Sequence, residues 1–89
     1  MVKVRTFEII NKLGIHARPA AKLASVSGQY KSKISLAWDG QNVNGKSVLS
    51  ILTLACPCGS KITVKAEGAD AEEAVEALGK LIEDKFGED

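Results

Sequence analysis

The single histidine of the chain, His16, lies in the run Gly14-Ile15-His16-Ala17-Arg18-Pro19, where an apolar strand gives way to a helix. An imidazole at a helix start stands beside amide groups that have no partner within the helix and that attract an anion. The positive end of the helix dipole disfavours a positive charge on the ring, so a lone pair stays available for attack on phosphorus. We therefore predict that His16 carries a transferable phosphoryl group.

The neighbours of His16 favour this chemistry over a capping role, which is the commoner role of a residue at a helix start. Arg18 supplies a planar guanidinium that matches a phosphate, and the backbone amides of Ala17 and Arg18 complete the predicted anion cradle. Pro19 fits only the first turn of a helix because it lacks an amide hydrogen, and Gly14 permits backbone angles that other residues avoid. A lone histidine makes neither a catalytic triad nor a metal site, so we expect no metal and no cofactor.

The elements that must position this run follow one another in the order β-α-β-β-α-β-α. Alternating apolar residues predict strands, and apolar residues at helical spacing predict helices. The predicted strands cover residues 2–10, 33–38, 41–43 and 61–65, and the predicted helices cover 17–27, 48–55 and a segment from 71 that includes Phe86. Asp39-Gly40 is typical of a hairpin turn, Ser47 of a helix N-cap, and Asp70 with Glu73 of a capping box.

The alternation within the strands predicts which face of the sheet is buried. One face carries Ile34, Leu36, Ile62 and Val64, and the other carries Lys33, Ser35, Lys61, Thr63 and Lys65. A sheet with one apolar and one polar face is covered on one side only. We expect an α/β (α+β) fold, an open-faced β-sandwich in which a four-stranded, mainly antiparallel sheet carries three helices on one face.

Size, charge and cysteine content limit the function classes. At 89 residues and 45% hydrophobic content, we expect one domain over residues 1–89. Twelve Lys and Arg against 11 Asp and Glu give a net charge of +1, too small a field to hold nucleic acid or an anionic membrane. The sequence shows no signal peptide and no apolar run of membrane-spanning length. We expect a cytoplasmic monomer.

The run from Leu13 to Ala20 resembles the active-site motif of the HPr family, the histidine-containing phosphocarriers of the bacterial phosphoenolpyruvate-dependent phosphotransferase system. The resemblance extends over essentially the whole chain and includes the segment Asn44-Gly45-Lys46-Ser47. It implies that enzyme I phosphorylates His16 on Nδ1, that Arg18 assists, and that the group passes to an enzyme IIA domain. The protein is then a carrier rather than an enzyme.

Two other functions compete with a sugar-transport phosphocarrier. The stretch Glu8 to Gly14 also resembles phosphocarriers of the nitrogen-related branch, which are regulatory. A small α/β nucleic-acid-binding module is a weaker alternative, because the chain has only four aromatic residues and its strands show no stacking platform.

The resemblance also directs attention to the second predicted helix. Ser47 falls where some relatives carry a serine that HPr kinase/phosphorylase modifies, although a serine at a helix start is also an ordinary N-cap. In the family this helix docks partner proteins, which suggests Leu49, Leu52 and Lys46 as contact residues, while an alternative places both leucines in the core. We expect Cys56 and Cys58 to be inert loop cysteines, with redox tuning of docking as the competing hypothesis.

Overall fold

The order of elements predicted from the sequence is the order found in the computed structural model, which describes residues 1–88. The strands are β1 (Val2–Glu8), β2 (Lys33–Trp38), β3 (Gln41–Asn44) and β4 (Lys61–Glu67). The helices are α1 (Ala17–Gly28), α2 (Val48–Leu54) and α3 (Ala71–Glu83), followed by a 3-10 turn (Lys85–Gly87). Over these residues, no helix is both long and apolar enough to span a bilayer.

The four strands form one sheet in the order β1-β4-β2-β3, and each neighbouring pair is antiparallel. Val64 of β4 lies between Arg5 of β1 and Leu36 of β2. The four residues predicted to face the helices, Ile34, Leu36, Ile62 and Val64, are at most 2% exposed. The lysines predicted for the other face are exposed, so the open-faced sandwich is confirmed.

Close packing of α3 on the sheet depends on a glycine. A Cβ atom at Gly79 would lie 2.4 Å from the ring of Phe7 in β1, so a larger residue would push the helix away from the strand. The core that results is shared by all three helices, with Leu23 from α1, Ile51 from α2 and Leu78 from α3 fully buried. One common core therefore holds the three helices against the sheet.

Several predicted boundaries are wrong by one to three residues. β1 ends at Glu8 rather than Ile10, although the Ile9 amide still donates to the Ser60 carbonyl at 2.8 Å. β3 and β4 extend beyond the predicted ends. α2 ends at Leu54 because Ala55 adopts left-handed backbone angles, with φ of 54°, and acts as the C-cap.

The predicted capping box of α3 is wrong. Asp70 occupies the N-cap position, yet its side chain makes no capping bond to α3. Its carboxylate instead accepts hydrogen bonds from the amides of Lys31 and Ser32, at 2.8 and 2.9 Å, and from the Ser32 hydroxyl. Asp70 therefore closes the loop between α1 and β2, a long-range partner that local spacing does not reveal.

Phe86 lies outside α3, contrary to the prediction, but its side chain is fully buried. The helix ends at Glu83, and positive φ angles at Lys85, Phe86 and Gly87 turn the chain back over the core. The helical spacing correctly identified the ring as a core residue, whereas the turn that carries it has no periodic signal.

Candidate functional site

His16 is the N-cap of α1, with extended backbone angles of φ −93° and ψ −166°. Its carbonyl accepts the first helical bond, from Ala20 at 3.0 Å. Within residues 1–88 its ring makes no capping bond to the helix, and its side chain is 35% exposed. The ring therefore lies at the start of α1 but does not accept a hydrogen bond from the free amides of that helix.

The first turn of α1 is free to receive an anion. The amides of Ala17 and Arg18 precede the first helical hydrogen bond, and Pro19 has no amide hydrogen. The described helix has no acidic residue in this turn, and both Ala17 and Arg18 are exposed. These are the cradle residues predicted from the sequence, and the structure places them next to His16.

Gly14 sets the path of the chain into this site. Its φ is +68°, and a Cβ atom there would lie 2.3 Å from the carbonyl oxygen of Cys56. The same carbonyl accepts a hydrogen bond from the amide of Ile15 at 2.9 Å. Glycine is therefore required both for its backbone angle and for the close approach of the loop that follows α2.

An unpredicted residue, Glu88, contacts the imidazole. Its two carboxylate oxygens lie 3.0 and 3.2 Å from His16 Nε2, and its side chain is 15% exposed. The hydrogen bond with His16, followed by one from Asn11, holds the pKa of the Glu88 carboxyl below its ordinary value of 4.5. Because a carboxylate only accepts hydrogen bonds, the ring proton of neutral His16 is assigned to Nε2 and the lone pair to Nδ1.

The site opens into a shallow depression of about 450 Å³. His16, Arg18 and Glu88 line it together with Lys12 and Leu13. Lys12 is a second cation at this rim that the sequence analysis did not single out. Glu88 is 72 residues from His16 in the sequence, so no local spacing could have indicated it.

Comparison with known proteins matches this site to a family. A profile described as "PTS HPr component phosphorylation site" matches residues 3–84. The phosphocarrier protein HPr of Cupriavidus necator is 42% identical over 84 residues, which cover 94% of each chain. The chain belongs to the HPr family. HPr is the phosphocarrier of the phosphotransferase system, so the family predicted from the motif around His16 is confirmed.

Solved HPr structures agree with the fold. HPr-C-His from Thermoanaerobacter tengcongensis superposes with a TM-score of 0.93 at 45% identity, covering 98% of each chain. A structure described as an HPr dimer from the same organism superposes with a TM-score of 0.79 at 45% identity, covering 92% of this chain and 94% of that one. Both comparisons place the described chain in the HPr fold.

The second helix differs from α1 in how its start is capped. The Ser47 hydroxyl accepts a hydrogen bond from the Ser50 amide at 3.2 Å, which confirms the predicted N-cap.

The residues predicted to dock partners differ in exposure: Leu49 is 77% exposed, while Leu52 is half-buried against the core. Lys46 is exposed and donates from Nζ to the Tyr30 carbonyl at 2.7 Å. Leu49 and Leu52 are the leucines that the family resemblance suggests as docking residues, and Leu49 is the more exposed of the two.

The two cysteines lie in the loop that supports Gly14. Both are free thiols; Cys56 is 2% exposed and Cys58 is exposed. Burial raises the pKa of the Cys56 thiol to about 11, so it stays protonated and unreactive at neutral pH. Residues 1–88 contain no cluster of three metal-ligating side chains.

Proposed function

We propose that the chain accepts a phosphoryl group from phospho-enzyme I on Nδ1 of His16 and passes it to an enzyme IIA domain. In the first step the Nδ1 lone pair attacks phosphorus, a nitrogen–phosphorus bond forms, and the bond between phosphorus and enzyme I breaks. The reverse of this step, with IIA as the acceptor, releases the group. The chain is therefore a carrier that is regenerated, with no substrate or cofactor of its own.

The observation that carries this proposal is the placement of the His16 ring. Glu88 engages Nε2, and the ring makes no capping bond to α1 within the described chain, so Nδ1 is left for chemistry. The phosphate oxygens would accept hydrogen bonds from the amides of Ala17 and Arg18 and from the Arg18 guanidinium. A charge-assisted hydrogen bond contributes about 1.5–3 kcal/mol and the helix dipole about 0.3–1 kcal/mol. Such energies hold the phosphoryl group without trapping it.

Docking of both partners is proposed on the surface formed by the starts of α1 and α2. Leu49 provides exposed apolar area, Leu52 extends it toward the core, and Lys46 adds a cation. An exposed leucine beside cations suits a partner with an apolar centre and an acidic rim. We propose that the chain acts as a monomeric domain spanning residues 1–89 in the cytoplasm, with no nucleic-acid partner.

Ser47 is proposed as a regulatory site, the target of an HPr kinase/phosphorylase. A phosphate there adds a charge of about −1.5 to −2 beside the docking surface and repels acidic partners. A Ser47→Asp variant keeps an N-capping carboxylate, so it should fold while accepting phosphate from enzyme I more slowly. An unchanged transfer rate and affinity would remove this site from the proposal.

The central test is incubation with enzyme I and labelled phosphoenolpyruvate. Wild type should gain an acid-labile, base-stable label, and His16→Ala should gain none. Lys65→Ala, an exposed change in β4, is the matched control and should label like wild type. Equal labelling of His16→Ala and wild type would refute the proposal. Running the assay with sugar-type and with nitrogen-related enzyme I distinguishes the two branches.

A further inference from the structure

We propose that Asn11 and Glu88 act as a positioning pair for His16, in which Asn11 holds the Glu88 carboxylate and Glu88 keeps the ring proton on Nε2. This inference deepens the proposed function and rests on it, because it explains how Nδ1 is kept free for phosphorus. Neither residue touches the transferred group, so both act through the imidazole.

Asn11 is fully buried, and its side-chain orientation is fixed by its partners. Its Nδ2 atom donates to the Gly14 carbonyl at 2.7 Å and to Glu88 Oε1 at 2.9 Å. Both partners are acceptors only, so the amide nitrogen rather than the oxygen must face them. One side chain thus ties the loop that leads into His16 to the carboxylate that contacts His16.

Contacts of the segment after α3 fix the position of Glu88. Phe86 anchors it in the core, and Lys22 of α1 donates from Nζ to the Phe86 carbonyl at 2.5 Å. Gly87, with φ of 75°, turns the chain, and the Glu88 amide then donates to the Lys85 carbonyl at 3.0 Å. These contacts, spread over the core, α1 and the turn itself, place the carboxylate against the ring.

The charge balance of phosphoryl transfer gives Glu88 a role during the reaction. When Nδ1 of a neutral ring bonds to phosphorus, the proton stays on Nε2 and the ring gains positive charge. The Glu88 carboxylate, hydrogen-bonded to that same nitrogen, stabilises the charge, as the carboxylate of a catalytic triad stabilises its imidazolium. The positive end of the helix dipole destabilises the same positive charge on the ring, so the Glu88 carboxylate offsets this destabilisation during transfer.

The test uses the fact that His16 is the only histidine, so its ring gives a single set of NMR signals. In wild type we expect a protected Nε2–H proton resonance and ¹⁵N shifts of the Nε2–H tautomer. Glu88→Ala should lose the protected proton and shift the ring toward mixed tautomers, and Glu88→Gln should give an intermediate spectrum. The rate of phosphorylation by enzyme I should fall about tenfold in Glu88→Ala, the scale expected when a group that orients a reactive residue is removed.

A double-mutant cycle distinguishes positioning by Asn11 from a purely structural role. Asn11→Ala should produce the same ring spectrum and rate loss as Glu88→Ala, and it should add nothing further in the Glu88→Ala background. Thermal unfolding monitors folding of each variant. If Asn11→Ala does not fold, Glu88→Ala and Glu88→Gln still decide the role of the carboxylate.

The outcomes separate the two proposals. Absence of label on wild-type His16 contradicts the proposed function. Normal labelling of wild type, with ring signals and rates unchanged in folded Glu88→Ala, overturns the positioning pair alone. A loss in Asn11→Ala that persists undiminished in the Glu88→Ala background assigns Asn11 a structural role instead.

Discussion

The starts of α1 and α2 use the same N-cap position for different purposes. Ser47 turns its hydroxyl toward its own helix and accepts a bond from Ser50, so the side chain satisfies the helix. His16 makes no such bond, and its ring instead hydrogen-bonds to Glu88 through Nε2. An N-cap side chain that hydrogen-bonds to its own helix has a structural role. An N-cap side chain that does not do so leaves both its own lone pair and the helix amides available to bind a ligand.

The largest effect should come from removing His16, the N-cap of α1. His16→Ala should abolish phosphoryl acceptance while changing the free energy of unfolding by less than about 1 kcal/mol, because it removes only a partly exposed contact. Phosphorylation assays and urea unfolding measure the two quantities. A His16→Ala protein that is destabilised by several kcal/mol would contradict the view that His16 is not a structural cap.

The next effect concerns the turn that sets up α1. Gly14→Ala should lower the free energy of unfolding by at least about 2 kcal/mol, because it combines positive φ with overlap on a backbone carbonyl. Phosphorylation of His16 should also slow as the loop shifts.

Gly28→Ala is the matched control, since a Cβ there meets no atom within 4 Å and φ is ordinary. It should be neutral or slightly stabilising in urea unfolding. Equal stability of the Gly14 and Gly28 variants would show that the contact with Cys56 is not required.

Ser47→Ala should produce the reverse of the His16→Ala pattern. Loss of the N-cap hydrogen bond should cost about 1 kcal/mol of stability, with no change in the labelling of His16. Ser47→Asn, which retains a side-chain acceptor, should recover most of the loss. A loss of labelling without a loss of stability would reverse the roles assigned to the two caps.

The third helix start adds a pH dependence. Hydrogen bonds from the Ser32 side chain and then from the Lys31 amide hold the pKa of Asp70 below its ordinary value of 3.8. Because the folded pKa is lowered, this stabilisation is present above pH 3.8 and is lost as the pH falls through the folded pKa. Asp70→Asn should therefore have a lower Tm at pH 7.

The Tm difference between wild type and Asp70→Asn should shrink as both are acidified below pH 3.8. Glu76→Gln, a change at an exposed position of α3, serves as the control for removal of one negative charge. A Tm difference that is constant from pH 7 to pH 2 would mean that the Asp70 carboxylate does not stabilise the loop between α1 and β2.

Sequence reasoning succeeded where the signal is local and failed where it is long-range. Periodicity and the Gly14 to Pro19 run placed the elements and the N-cap of α1 within a few residues. Asp70 and Glu88 were misread or missed because their partners lie 38 or more and 72 residues away. Phe86 shows both cases, since its burial was evident from spacing and its left-handed turn was not.

The smallest effect tests the loop between α2 and β4, which packs against the turn before α1. In the folded protein iodoacetamide at pH 8 should modify Cys58 and spare Cys56, because a pKa of about 11 leaves about one Cys56 thiol in a thousand ionised. Mass spectrometry of peptides locates the adduct, and unfolding in urea should expose both thiols.

The Cys56 carbonyl, not its thiol, accepts the hydrogen bond from the Ile15 amide, so alkylation of Cys58 should change the rate of His16 phosphorylation less than twofold. A larger change, reproduced by an oxidant and reversed by a thiol reductant, would instead favour redox tuning of the docking surface.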